Sequence, residues 1–192
     1  MTGGQPSSDP SAALAVSEAP VATVPENPRT GEPRRPLTVT LATVLCWLAV
    51  AVIGVSLLWI YWNAVTDFAH ASWLMGQFVT TPGSLERVLL SVAVTVIGLV
   101  IGTTNAIVGY YASAGYGWTR FGGLISAIVA FGALVLNPLA WAAIPAAVVG
   151  AGLLWLPAAK RFFAAWRLRR HPEQELAAPV VDVYYGPLPR YR

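Results

Sequence analysis

The sequence predicts an all-α integral membrane protein with four transmembrane helices and disordered or extended cytoplasmic tails at both ends. Three observations support this fold class. Residues 37–159 contain only four charged side chains, whereas about 25% of the residues in a soluble domain are charged. The same region holds several apolar runs of roughly membrane-crossing length. Basic residues border these runs mainly on one side. This composition excludes a soluble globular domain, a disordered chain and a nucleic-acid-binding domain.

The first two predicted segments are a cytoplasmic tail and a long apolar run. Residues 1–36 are rich in Pro, Ser, Ala and Thr and lack aromatic residues, so they cannot bury a core and are predicted to be disordered. The first span, residues 37–62, would extend about 39 Å as a helix, which exceeds a hydrocarbon core of about 30 Å. Its far end carries aromatic side chains suited to the headgroup level: Trp59, Tyr61 and Trp62.

Residues 63–87 form the predicted extracytoplasmic loop, and residues 88–111 form the second span. The loop places apolar side chains on roughly one helical face, which predicts a short interfacial helix ending near Thr81-Pro82-Gly83: Val65, Phe68, Ala69, Met75 and Val79. Ser84 is a natural N-cap for the following helix, and Glu86 suits its positive dipole end.

The second span contains a GxxxG motif, Gly98 to Gly102, within a stripe of small and weakly polar residues. The predicted helix-packing residues are Ser91, Thr95, Gly98, Gly102, Asn105, Ala106 and Gly109. Small side chains let another helix backbone approach closely. The stripe favours packing against a helix of the same chain over homodimerisation. We expect Asn105 to hydrogen-bond a neighbouring helix more readily than a substrate.

Residues 121–159 are free of charge and must fold back, because a single helix of this length would reach about 58 Å. The Asn137-Pro138 dipeptide is the predicted break, since a residue before proline avoids the helical region. The division gives a short third span, residues 121–136, and a fourth, residues 139–156. Pro145 is predicted to kink the fourth span.

A basic, aromatic-bearing segment follows the fourth span and opens the C-terminal region 160–192. Its predicted role is to anchor the chain at a membrane surface carrying anionic lipid headgroups. The anchoring residues are Lys160, Arg161, Phe162, Phe163, Trp166, Arg167, Arg169 and Arg170.

The distribution of basic residues predicts the orientation. With four spans, Arg87 alone lies on the loop side, and every other membrane-flanking basic residue lies on the side of the tails. The positive-inside rule then places both termini in the cytoplasm. Eleven of the twelve basic residues are Arg, a composition that favours a bacterial source and hence the cell (inner) membrane.

The chain offers few groups for chemistry. His70 and His171 lie on opposite sides of the predicted membrane, and Cys46 is a lone cysteine inside the first apolar run. Asp67 and Glu86 could accompany His70, but a solvated loop explains all three. We therefore expect no catalytic site, no cofactor and no metal. The predicted spans also lack the ionisable residues that ion-coupled carriers use.

Two hypotheses for the function are favoured over a third, a membrane-embedded enzyme acting on lipid, for which Asp67, His70 and Glu86 are the extracytoplasmic candidates. The first is a non-catalytic accessory, assembly or stabilising subunit that packs against other membrane proteins, for instance in respiratory, transport or envelope machinery. Its motives are the small-residue faces, the uncharged spans and the long polar tails. The second is a small homo-oligomeric transporter or channel for a neutral or lipid-like solute. Its motive is the four-span architecture with a weakly polar stripe on the second span.

Overall fold

The computed structural model describes residue 25, residues 28–29 and residues 31–171, and this part of the chain is helical. Most of the predicted N-terminal tail and all residues beyond 171 lie outside the described part. The described elements, in chain order, are α1 (Leu37–Thr66), α2 (Trp73–Gly76), α3 (Leu85–Ser113), α4 (Thr119–Ala130), two 3-10 helices (Phe131–Val135 and Ala140–Ala142), α5 (Ala143–Leu153) and α6 (Pro157–Arg170).

Helices α1 and α3 are the longest elements, with 30 and 29 residues, or about 45 Å each. The first follows the extended residue Pro36. The second begins after Ser84, whose Oγ accepts a hydrogen bond from the backbone N–H of Arg87 at 3.4 Å, which confirms the predicted N-cap. Both helices extend past the predicted spans 37–62 and 88–111, α1 by four residues at its end and α3 by three at its start and two at its end.

Two glycine contacts fix the register between α1 and α3. A Cβ placed on Gly98 would lie 2.8 Å from Leu57 Cδ1, and one on Gly109 would lie 3.1 Å from Cys46 Cβ. Positions rise along α3 as they fall along α1, so the two helices are antiparallel. The same register places Gly102 at the level of Gly54.

The described residues support two or three membrane crossings by length and composition, not clearly the predicted four. Helices α1 and α3 each qualify alone, and a third crossing requires counting Ala140–Leu153 and Pro157–Arg170 as one span bent by 64°. Only 28% and 17% of the apolar windows of α1 and α3 are buried inside the protein. So large an apolar exterior suggests a membrane-embedded protein.

Predicted spans 121–136 and 139–156 correspond to a hairpin formed by residues 119–153, whose legs do not qualify as crossings by length and composition. Its first leg has 12 α-helical and 5 3-10 residues, a rise of about 28 Å. Its second leg has 3 3-10 and 11 α-helical residues, a rise of about 23 Å. The second leg is therefore clearly shorter than a hydrocarbon core of about 30 Å.

The hairpin turns at Asn137, which confirms the predicted break. The Asn137 Oδ1 accepts hydrogen bonds from the Ala140 backbone N–H and from the Ser56 hydroxyl of α1, both at 2.8 Å. The recorded bend of 64° in this part of the chain lies between α5 and α6, after Pro145. Pro145 lies in the first turn of α5, where a backbone N–H has no intrahelical acceptor, so proline removes no hydrogen bond there.

The loop between α1 and α3 fills the space above the hairpin turn. Because Asn137 is level with Ser56, the turn stops about 15 Å short of the end of α1 at Thr66. The loop covers it: Trp73 donates its backbone N–H to the Leu136 carbonyl at 2.7 Å. The interfacial helix predicted here is the single turn α2. Of the predicted apolar face, Phe68 and Met75 are buried, but Val65 and Val79 are exposed.

An apolar cluster closes the other end of the bundle and joins α6 to the start of α1 and the end of α3. Its buried members are Val39, Ala42, Cys46, Val108, Ala112, Leu154, Ala159, Phe162 and Phe163. We call this the α6 end, and we call the opposite end, with residues 67–84 and Asn137, the loop end.

Candidate functional sites

The predicted helix-packing stripe on α3 divides into residues used inside the bundle and residues left open. Gly98 and Gly109 face α1 at contact distance, as described above. Gly102 is only partly buried, and no described atom lies within 4 Å of a Cβ placed on it. Ala106, one turn further, is also partly buried. Part of the GxxxG surface is therefore open to a neighbour outside this chain.

The hydroxyls of Ser91 and Thr95 hydrogen-bond to their own helix. Ser91 Oγ donates to the Arg87 carbonyl at 2.9 Å, and Thr95 Oγ1 donates to the Ser91 carbonyl at 2.6 Å. Tyr61 of α1 contacts the Thr95 hydroxyl and lies 3.4 Å from the Ser91 carbonyl. This part of the stripe joins α3 to α1 near the loop end.

Asn105 is fully buried, with 0% of its surface exposed. Its Nδ2 donates to the Ile101 carbonyl of its own helix at 2.9 Å, and its Oδ1 has no hydrogen-bond partner among the described residues. Ser126 Oγ on α4 is likewise buried without one. A Cβ placed on Gly122 would lie 3.4 Å from Val108, and one placed on Gly132 would lie 3.5 Å from Ile101, which puts Asn105 at about the level of Ser126 along the bundle.

The predicted membrane anchors on α6 separate into two groups. Phe162 and Phe163 are 1% and 3% exposed and pack in the cluster of the α6 end. They attach α6 to the bundle and do not present an apolar surface to lipid, in contrast to the sequence prediction. The exposed anchors are cationic: Lys160, Arg161, Arg167 and Arg169.

Arg170 is held against the turn that follows α3. Its guanidinium donates to the carbonyls of Ala114 and Gly115, the latter at 3.2 Å. It also lies 4.0 Å from the centroid of the Tyr116 ring and 4.9 Å from that of Trp166. A cation at a helix C-terminus is favourable, because the last carbonyls there lack partners. We call this arrangement the Arg170 clasp.

Other basic residues are also in contact at the α6 end. Arg169 donates to the Gly31 carbonyl at 2.5 Å, which connects α6 to the segment before α1. Arg120 lies 4.5 Å from the centroid of the Trp155 ring. Each of these cations therefore lies against a backbone carbonyl or an aromatic ring.

The acidic and imidazole groups of the loop end form one exposed pair. His70 Nδ1 lies 2.8 Å from Asp67 Oδ2, and both side chains are largely exposed. Glu86 lies in the first turn of α3. Within the described residues, no group of three or more His, Cys, Asp or Glu side chains converges on one point. The pair alone is a solvated i, i+3 contact of little energetic weight.

A pocket of about 360 Å³ lies between the loop and the hairpin turn. Its walls include Trp73 and Trp141, which are 55% and 45% exposed, and its floor includes the buried residue Leu136. The remaining lining residues are Ala69, His70, Ser72, Gly76, Gln77, Asn137 and Pro138. Sequence reasoning missed this pocket because it depends on how far the hairpin extends. One signal in the sequence could have located the turn. A buried Asn137 needs a hydrogen-bond partner, and Ser56 is a polar residue inside the apolar run of α1 that can supply one.

No protein-family model, curated protein or solved structure matches this chain. Its function must therefore be argued from its own residues.

Proposed function

We propose that this chain is a non-catalytic, four-span protein of the cell (inner) membrane that serves as an accessory, assembly or stabilising subunit of a larger membrane complex. The observation that carries the proposal is the open face between α1 and α3. On it, Gly54 and Gly102 lie at one level, and no described atom occupies the space above either. Glycines on a lipid-facing surface let a partner helix approach closely enough to gain van der Waals contact.

The surroundings of these glycines favour a protein partner. Other glycines of the helices, such as Gly98 and Gly109, are already in contact with neighbouring side chains of this chain. Trp47 and Leu58, which share a helical face of α1 with Gly54, are exposed. Association between membrane helices depends on packing more than on apolar surface, so open glycines distinguish a docking face from a lipid-covered one.

The four-span orientation is supported by the gathering of charge at the α6 end. The α6 cations, Arg120 and the segment before α1 meet there, whereas Arg87 lies at the loop end. In this proposal the α6 end faces the cytoplasm, and both tails leave from it. The exposed cations Lys160, Arg161 and Arg167 are then available to anionic lipid headgroups.

The proposal is tested by purification in mild detergent from native membranes. We expect a reproducible partner to co-purify with the natural chain and to be lost when Gly54→Leu and Gly102→Leu are combined. The matched control is Gly152→Leu, which also enters open space but lies on α5. A chain that purifies alone, or a partner retained by the double variant, would contradict the proposal.

The alternative, a small homo-oligomeric transporter or channel for a neutral or lipid-like solute, has one observation in its favour. The Asn105 Oδ1 and Ser126 Oγ are buried without partners at one level of the bundle. If these groups bind a solute, Asn105→Leu should abolish flux in reconstituted vesicles. Gly102→Ile, on the open face, should also abolish flux if the pore forms between copies. Unchanged flux in both variants would remove this alternative.

A further inference from the structure

The pocket at the loop end has the chemistry of a hydrocarbon site. Its lining combines two indoles, a leucine, a proline, an alanine and a glycine with four polar residues, His70, Ser72, Gln77 and Asn137. Its volume, about 360 Å³, is in the range of small-molecule sites, which are lined mostly by apolar side chains.

The polar groups of the lining already have partners. Asn137 Oδ1 accepts two hydrogen bonds, and Ser72 Oγ accepts one from the Met75 N–H at 3.1 Å. Trp141 Nε1 donates to the Leu134 carbonyl at 3.3 Å. Across the described residues, no buried side-chain atom of this lining lacks a partner. The interior of the pocket therefore offers no unpaired buried side-chain group to a polar ligand, and the open hydrogen-bonding capacity lies at the exposed rim, on His70 and Gln77.

The position of the pocket indicates the source of such a chain. The floor lies at the level of Ser56, about 15 Å below the end of α1. Beside it, the apolar exterior of the hairpin continues through Phe131, Leu134 and Leu139, all substantially exposed. The rim carries His70 and Gln77, and indoles such as those of Trp73 and Trp141 favour the headgroup level. The pocket thus connects an apolar outer surface with a polar rim.

We propose that this pocket binds one acyl chain of a phospholipid from the membrane leaflet at the loop end. The chain lies between the exposed indoles of Trp73 and Trp141. The headgroup remains at the rim beside His70 and Gln77. This proposal rests on the membrane embedding contained in the proposed function, but it does not depend on the partner protein.

The test uses the full chain in vesicles of phosphatidylethanolamine and phosphatidylglycerol that contain phosphatidylethanolamine with a photoreactive diazirine on its acyl chain. Labelled residues are mapped by mass spectrometry after illumination. We expect label on the exposed pocket residues Trp73 or Trp141 and on the exposed face of α1, for instance Leu58. The variant Ala69→Trp should lose the pocket label and keep the α1 label. Ala51→Trp, on the exposed face of α1, should keep the pocket label.

Each outcome decides between the two proposals. Label on α1 without label in the pocket shows another occupant or an empty pocket and overturns the acyl-chain site alone. Label that persists in the pocket of Ala69→Trp shows surface contact and also overturns it. Label on neither region means that the chain is not embedded, and the proposed function fails first. Gln77→Trp, at the rim, is a second blocking variant in case Ala69→Trp does not fold.

Discussion

The two ends of the helical bundle differ in how completely side chains fill the space between the helices. At the α6 end, helix α6 packs against the start of α1 and the end of α3, two buried phenylalanines fill the space, and the Arg170 clasp binds the carbonyls after α3. At the loop end, the short hairpin leaves a gap that a single-turn helix and its flanking loop fill only partly. The comparison shows that the filled end is stabilised by aromatic packing and cations. The incompletely filled end provides the space for a ligand.

Removing a large side chain at the α6 end should have the largest effect. Phe162→Ala should lower the free energy of unfolding by about 3–5 kcal/mol, because the buried ring leaves a cavity that a packed helix cannot close. Phe131→Ala, on the exposed side of the hairpin, is the control and should cost far less. Unfolding in mixed detergent micelles gives both values. Equal losses would mean that Phe162 faces lipid and that the α6 end is not a packed core.

Alanine substitution at two glycines with the same φ distinguishes the cost of backbone strain from the cost of a steric clash. Gly115 and Gly83 both have a φ of 78°. Gly83→Ala should cost about 1–2 kcal/mol, because the left-handed conformation is unfavourable for alanine. Gly115→Ala should cost about 1–3 kcal/mol more, because its Cβ would overlap the Trp166 indole. The same unfolding assay compares the two variants, and equal costs would show that Trp166 does not pack on this turn.

The polar contact at the hairpin turn should matter less than the α6 core. Asn137→Ala should cost about 1–3 kcal/mol, since the Ala140 N–H and the Ser56 hydroxyl both lose their acceptor. Ser56→Ala should cost less, because the bond to Ala140 remains. A double-mutant cycle should return a coupling energy of about 0.5–1.5 kcal/mol. A coupling energy of zero would mean that Ser56 of α1 and Asn137 of the hairpin turn do not interact.

Releasing the clasp should loosen α6 without unfolding the bundle. Arg170→Gln should cost about 1–2 kcal/mol, because it removes contacts to two aromatic rings and charge-assisted bonds to two carbonyls. Faster hydrogen exchange confined to α6 is the expected signature. Arg161→Gln, an exposed cation on the same helix, is the matched control and should leave exchange unchanged. Identical exchange in both variants would contradict the clasp.

The smallest effect is expected at the exposed pair of the loop end. His70→Asn should change the free energy of unfolding by less than about 0.5 kcal/mol, since the contact with Asp67 is solvated. The same unfolding assay measures it. A loss comparable to that of Phe162→Ala would assign the pair a structural role that its exposure does not support.

The local signals in the sequence predicted the helix boundaries better than the packing. Ser84 and Asn137-Pro138 act through neighbouring backbone groups, so their effects were predictable from a few residues. The contact of Ser56 with Asn137 joins positions 81 residues apart, and no pattern in the sequence around either residue predicts it. Phe162 and Phe163 were assigned to the membrane surface because apolar periodicity does not distinguish a lipid-facing side from a bundle-facing side. The pocket depends on how far the hairpin extends along α1, which is fixed by the Asn137 contact with Ser56 and not by any local pattern.

The most direct test of the account is the side of the membrane on which each end lies. In a Cys46→Ala background, single cysteines at Gln77, Ala114 and His171 are treated with a membrane-impermeant maleimide in intact cells. We predict that the Gln77 position is labelled at once, and that the Ala114 and His171 positions are labelled only after permeabilisation. Labelling of the His171 position in intact cells would contradict the four-span orientation and the cytoplasmic assignment of the α6 end.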